Sequence, residues 1–291
     1  MPNQPEFEQR ERIELPPEIV RVYRHITGEY ADCYVDEFLI SRVGKIIDNR
    51  EANEEEVREA LEDPYYALKV FFGHYAFARR GKDRDELSAD SQKALELSLQ
   101  GDTFESVLAQ RDGEAIWTAF EEVTKERRKK SNEIQNRGTL QGMLELCQEI
   151  YELDPSASLA TWIVNGVAQS GRLENQFERI VDIRGIGPKS TSTFLRDVVY
   201  LFGLERNIHP ADRIYYLPVD RWTRMIAPYI VPEENITKAA DWVLAGKIGK
   251  YARLARVSML RFNMGLVYFG QRVVREPDNF EDAVRELALR K

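Results

Sequence analysis

Two residues in this chain combine a reactive side chain with a suggestive context. Lys189 closes the run Ile183-Arg184-Gly185-Ile186-Gly187-Pro188-Lys189. Two glycines two apart permit a tight reversal and the close approach of another backbone. Pro188 suits the first turn of a following helix. Phe177, Ile180 and Val181 make an apolar face before the run, and Leu195, Val198, Val199 and Phe202 make another after it. The pattern predicts a helix–hairpin–helix over 173–203, with unpaired N–H groups at the second helix start forming a seat for phosphate. A cation in that first turn is opposed by the helix dipole. The position therefore suits a lysine that meets phosphates or serves as an amine nucleophile. The plain alternative is an anchoring lysine on a binding hairpin. A Walker A loop is excluded because its six-residue frame is absent.

The second residue is Asp220, in Tyr216-Leu-Pro-Val-Asp220-Arg-Trp-Thr-Arg224. Apolar residues and a proline lead into an aspartate that opens an amphipathic run, which predicts an N-cap. A carboxylate fixed there can stabilise a developing positive charge or accept a proton. Each motif alone has an ordinary structural reading. Their order, followed by a basic carboxy-terminal stretch, points to a pair acting together.

Composition narrows the classes. The chain has 291 residues, 43% hydrophobic and 31% charged, with a formal net charge of −8. These proportions describe a globular chain of one large domain or two lobes, neither disordered nor membrane-embedded. No apolar run reaches the length of a spanning helix, since charges such as Lys69 and Arg253 interrupt each candidate. The polar amino terminus does not read as a signal peptide, and an intracellular location is expected (cytoplasm or nucleoid, or nucleus). Two cysteines, Cys33 and Cys147, are too few for a disulfide scaffold, a four-cysteine zinc site or an iron–sulfur cluster. His25 and His209 are too isolated to suggest metal ligation.

The charge is unevenly spread. Residues 181–291 hold 18 Lys+Arg against 13 Asp+Glu, whereas residues 1–180 hold 23 against 36. Between Asp241 and Glu276 there is no acidic residue, and Lys247, Lys250 and Arg253 recur three apart. That spacing suits one helical face touching phosphates, or simply a solvated face. The cluster Lys125–Lys130 reads as a solvated helix end.

The elements that must position these residues are helical almost throughout. Residues 1–16 read as a loose tail. An amphipathic stretch follows Pro17 to about Asn49, with breaks expected at Gly28 and Gly44, and Asp63-Pro64 marks a helix boundary. Asp102 is expected to cap the next helix. Further helices are predicted near 113–130, 139–152 and 158–167. Many short helices with short connections imply an all-α fold.

The residues Ile183, Gly185, Ile186, Gly187 and Lys189, then Pro218, Val219, Asp220 and Arg224, resemble the signature of the helix–hairpin–helix/GPD superfamily of base-excision DNA glycosylases, with an endonuclease III-like fold. The motif-bearing part covers 173–228, and the helical organisation is compatible over 17–291. Arg184 replaces the usual proline, and Arg221-Trp222 replaces the common Thr-His. The absent cysteine cluster and the long Lys189–Asp220 spacing are similar to the archaeal 8-oxoguanine glycosylase/lyase subgroup.

The resemblance implies two helical lobes with a DNA-binding cleft between them. One lobe would run over 63–204, and the other would combine 17–62 with 205–291. It implies a glycosylase with AP lyase activity, in which Lys189 forms a Schiff base and Asp220 assists. DNA contacts would come from Arg184, Gly185 and Gly187, joined by Lys247, Lys250 and Arg253 of the basic face. His74, Tyr75 and Trp222 are base-flipping candidates, although each is also an ordinary packing residue. No cofactor is implied beyond a monovalent cation held by the carbonyls of Val181, Ile183 and Ile186. The expected partner is damaged double-stranded DNA, met by a monomer. The alternative is a non-catalytic helix–hairpin–helix module that binds DNA or protein.

Overall fold

The structure is a computed structural model that describes residues 14–77, 84–110, 113–125 and 132–290. Most of the expected tail and of the Lys125–Lys130 cluster lies outside these residues. Among the described residues the fold is all-α, with no strand.

The chain opens with α1 (Pro17–Tyr34), with a proline in its first turn. A π-helical stretch, Val35–Ile40, carries it directly into α2 (Ser41–Ile46). The expected break at Gly28 does not occur. Gly28 lies in open space on the exposed side, while Val22, Tyr23 and Ile26 are buried on the other. Burial of that face outweighs the roughly 1 kcal/mol that an interior glycine costs. Near the expected second break, Gly44 lies close to the end of α2, where an added Cβ would meet the Asn49 carbonyl at 2.5 Å.

A capping box at Asn53 starts α3 (Glu54–Glu62). Asp63 then accepts from the Tyr66 amide at 2.9 Å and caps α4 (Pro64–Val70), as the Asp-Pro boundary predicts. A second π-helical stretch, Phe71–Ala76, continues α4. Next come α5 (Arg84–Ser98), α6 (Phe104–Gln110) and α7 (Gly113–Lys125). The Ser106 amide bonds the Thr103 hydroxyl. The cap of α6 is therefore Thr103, one residue later than the aspartate expected from sequence.

The centre of the chain holds α8 (Glu133–Leu153), α9 (Leu159–Ser170), α10 (Glu174–Val181) and α11 (Pro188–Leu201). Two short 3-10 helices, Leu204–Arg206 and Pro210–Tyr216, lead on. Then follow α12 (Arg221–Ile230), α13 (Asp241–Leu254), α14 (Met259–Tyr268) with a third π-helical stretch at Phe269–Val274, and α15 (Phe280–Leu289).

Buried apolar side chains gather into two clusters. The first runs from Tyr34 to Tyr216 with Leu260 and Met264 added. The second joins Ile19–Ile26 to residues from Leu217 to Leu287. The division within the amino-terminal segment falls near Tyr34, and Val43, Val57 and Leu61 pack with the first cluster. α1 buries its apolar face in the second cluster until Tyr34, its last residue, which packs in the first.

Candidate active site

The turn before Lys189 is held by the small residues of α8. Gly185 has a φ of 90°, and an added Cβ would lie 2.2 Å from the Thr139 hydroxyl oxygen and 2.9 Å from the Gln135 carbonyl. Only glycine meets both demands. Thr139 donates to the Arg184 carbonyl at 3.0 Å. Ile183 packs on Gly142 and the stem of Arg184 on Gly138. Gly187, by contrast, has an ordinary extended conformation. It offers α11 no side-chain cap, and Pro188 and the exposed Lys189 form the first turn.

Asp220 reaches the site by a different route. Asp212 accepts from the amides of Leu173 and Glu174 at 2.8 and 3.2 Å and from Arg172 at 2.9 Å. These bonds pin the 3-10 helix Pro210–Tyr216 to the start of α10. His209 caps that short helix by accepting from the Ala211 amide at 3.3 Å. The chain then returns through Pro218 to Asp220, which caps α12 as predicted. Its carboxylate accepts from the Thr223 amide at 2.9 Å and the Thr223 hydroxyl at 3.0 Å.

Lys189 and Asp220 line the same cavity, of about 110 Å³. Lys189, Thr193 and Arg196 lie along one face of α11. Phe38, His74 with Tyr75, and Gln271 come from the three π-helical stretches. Every π-helical stretch among the described residues thus supplies a wall residue. Each such stretch forgoes the ordinary hydrogen-bond register, and such segments concentrate at functional sites.

Beneath the cavity lies a polar network that is almost fully buried. Arg196 and Asp197 are 1% and 0% exposed. Arg196 donates to Asp197 at 2.9 Å, to the Asn263 side-chain oxygen at 2.8 Å and to the Tyr34 hydroxyl. Tyr75 and Tyr34 donate to the other Asp197 oxygen at 3.1 and 3.3 Å. Asn263 donates onward to the Pro218 carbonyl at 3.3 Å. Burial pushes the Asp197 carboxyl up, against the pull of Arg196 and the tyrosine hydroxyls.

Burial, reinforced by Arg42, Arg84 and Arg196, holds His74 well below the usual histidine range. It stands neutral in the wall, offering one nitrogen donor and one acceptor. Arg42 lies over the Phe38 ring at 4.5 Å, and Arg84 donates to the His74 carbonyl at 3.1 Å. The cavity therefore combines cations, aromatic faces and one accessible carboxylate.

Other residues singled out from sequence have different surroundings. Trp222 is buried in the second cluster, stacked on Phe280 at 5.6 Å. It is a core residue, as expected of an aromatic beside a cap. His74 and Tyr75 are buried wall residues, not projecting wedges. Lys247 pairs with Glu233 at 2.8 Å. Lys250 and Arg253 line a separate, larger cavity. Arg184 is exposed on the turn before α11 and does not line the small cavity. The Ile183 carbonyl accepts from the Ile186 amide at 3.1 Å, which leaves it one lone pair for a cation.

No known family, curated protein or solved structure matches the chain.

Sequence reasoning missed Arg42, Arg84, Arg196 and Asn263. The available signal was the adjacent pair Arg196-Asp197 inside the apolar run from Phe194 to Val199. Such a pair must be buried together or break the face.

Proposed function

We propose that the chain is a base-excision DNA N-glycosylase with AP lyase activity. The observation that carries this reading is that Lys189 and Asp220, on different helices, line one small cavity. The two apolar clusters would correspond to two lobes, and the turn between α10 and α11 to a helix–hairpin–helix seated on one DNA strand. A monovalent cation on the carbonyls of Val181, Ile183 and Ile186 would face a phosphate of that strand.

A stacked base is out of reach of both side chains, so its nucleotide would be extruded towards the cavity. The unprotonated Lys189 Nζ attacks C1′. The N–C1′ bond forms as the bond from C1′ to the base breaks, and the base leaves as its anion, then takes up a proton. Asp220 stabilises the positive charge that develops on the sugar and accepts a proton from the lysine nitrogen. Opening of the C1′–O4′ bond gives the imine, with the proton passing to O4′. Loss of a C2′ proton then expels the 3′-phosphate. The neutral His74 and the guanidinium groups of Arg42 and Arg84 supply donors for a base rich in carbonyl oxygens.

Borohydride trapping tests this on duplexes bearing an abasic site, 8-oxoguanine or an oxidised pyrimidine. A covalent adduct that disappears in Lys189→Ala is the expected result. No adduct on any duplex, with salt-sensitive DNA binding retained, would instead support a non-catalytic binding module.

A further inference from the structure

The larger cavity has a chemistry of its own. Its volume is about 410 Å³, within the range of sites for small molecules. Arg206, Arg213, Arg253 and Arg256 come from three elements and the turn after α13, and all four line it together with Lys250. None of the four arginines forms an ion pair or a side-chain hydrogen bond with another described residue. Arg213 carries a buried Nε without a hydrogen-bond partner. The one carboxylate in the wall, Glu205, is turned towards α14. It accepts from the Ser258 hydroxyl at 2.7 Å and the Leu260 amide at 3.5 Å.

Two backbone features favour an open, cationic bowl. Gly246 lies within α13, yet an added Cβ there would meet nothing nearer than Ile214 at 4.0 Å. No close packing requires that glycine, and its missing side chain leaves the wall clear. Arg256 has a φ of 61° at the end of α13, where the Val257 amide bonds back to the Ala252 carbonyl at 3.0 Å. Glycine is the ordinary residue in that position, and a side chain there costs about 1 kcal/mol. The residue that occupies this strained position sets a guanidinium in the cavity wall.

We propose that this cavity binds a small ligand of the nucleotide class, carrying two or three linked phosphates. Guanidinium forks match phosphate oxygens in pairs. Ile214, Val257 and Met259 add apolar surface for a ring. The site is distinct from the Lys189 cavity. α14 begins at this bowl with Met259 and reaches the other cavity only at Val267, about 12 Å further along the helix. The inference therefore stands whether or not Lys189 is a nucleophile.

Isothermal titration calorimetry on the full chain at physiological salt is the test, with adenosine triphosphate, guanosine triphosphate and inorganic tripolyphosphate as separate probes. Saturable one-to-one binding is expected, tighter for a nucleotide than for tripolyphosphate. Arg256→Gly and Arg213→Ala should each weaken it about tenfold or more. Arg256→Gly relieves the strained backbone, so its loss of binding cannot come from misfolding, and a thermal melt at or above that of the parent checks this. Gly246→Leu should weaken binding with every cation retained. Lys189→Ala should bind nucleotide like the parent. The proposal is overturned by the absence of saturable heat, by parental affinity in Arg256→Gly, or by loss of binding in Lys189→Ala. It also fails if the arginine variants weaken binding of a 12-base-pair duplex while no nucleotide binds.

Discussion

Arg196 donates to Asn263 at 2.8 Å, and Asn263 lies on α14, a helix that supplies residues to both apolar clusters. Asn263 holds the Pro218 carbonyl two residues before Asp220. Arg196 shares α11 with Lys189. The separation of the candidate nucleophile from the candidate carboxylate is thus set by one buried guanidinium and one amide. Arg196→Met leaves Asp197 buried without its countercharge and should cost about 3–5 kcal/mol. Urea unfolding measures this, and a loss below 1 kcal/mol would show that the tie does not hold the two clusters together.

Asp220 is a cap, and under the proposed function it would also be a reacting group; the two roles are separable. Asparagine caps helices as well as aspartate does, and alanine does not. Asp220→Asn should therefore change stability by only a few tenths of a kcal/mol, while Asp220→Ala should lose about 1 kcal/mol. If the proposed function holds, base excision should fall about a hundredfold or more in both. Single-turnover cleavage and thermal melts on the two variants check this. Full activity in Asp220→Asn would leave the residue with its cap alone.

Gly185 meets a conformational demand and a steric one at the same position. Gly185→Ala should cost about 2–3 kcal/mol through its positive φ and its collision with α8. Chemical denaturation reads the cost directly. Because Gln135 presents backbone at 2.9 Å, removing the Thr139 side chain as well should not restore stability.

His74 gives stability a dependence on pH. Its folded pKa is depressed by burial and by the neighbouring arginines, so the unfolded chain takes up its proton first as pH falls. The contribution of the neutral ring is fully present above about pH 6.5 and declines below it, by about 1.4 kcal/mol per pH unit while the folded ring stays neutral. Urea midpoints at pH 7.5 and 5.5 should show this loss, and His74→Gln should flatten it. An equal slope in that variant would move the origin elsewhere.

Much of the site was legible because its signals are local. Gly185 of the turn, Pro188 and the Pro-Val-Asp cap each declare a backbone geometry within a few residues, whereas Gly187 does not. The network under the cavity was not legible in that way. Arg196, Asp197, Tyr34, Tyr75 and Asn263 meet only when four separate elements assemble, and no spacing rule brings them together. Gly28 misled because propensity is a weak local term beside burial of the opposite face of α1. Lys250 and Arg253 do share a helical face, but periodicity does not say which cavity that face addresses. The π-helical stretches left no periodic mark at all, since each displaces the pattern by a single residue.

The unbroken rod from Pro17 to Ile46 lies against one cluster at its start and the other towards its end. It acts as a beam about 45 Å long, built into two walls. Rocking the walls apart would require flexing the beam, and its Val35–Ile40 stretch sits beside the junction. Any large guest at the Lys189 cavity would then have either to flex this beam or to be bent itself.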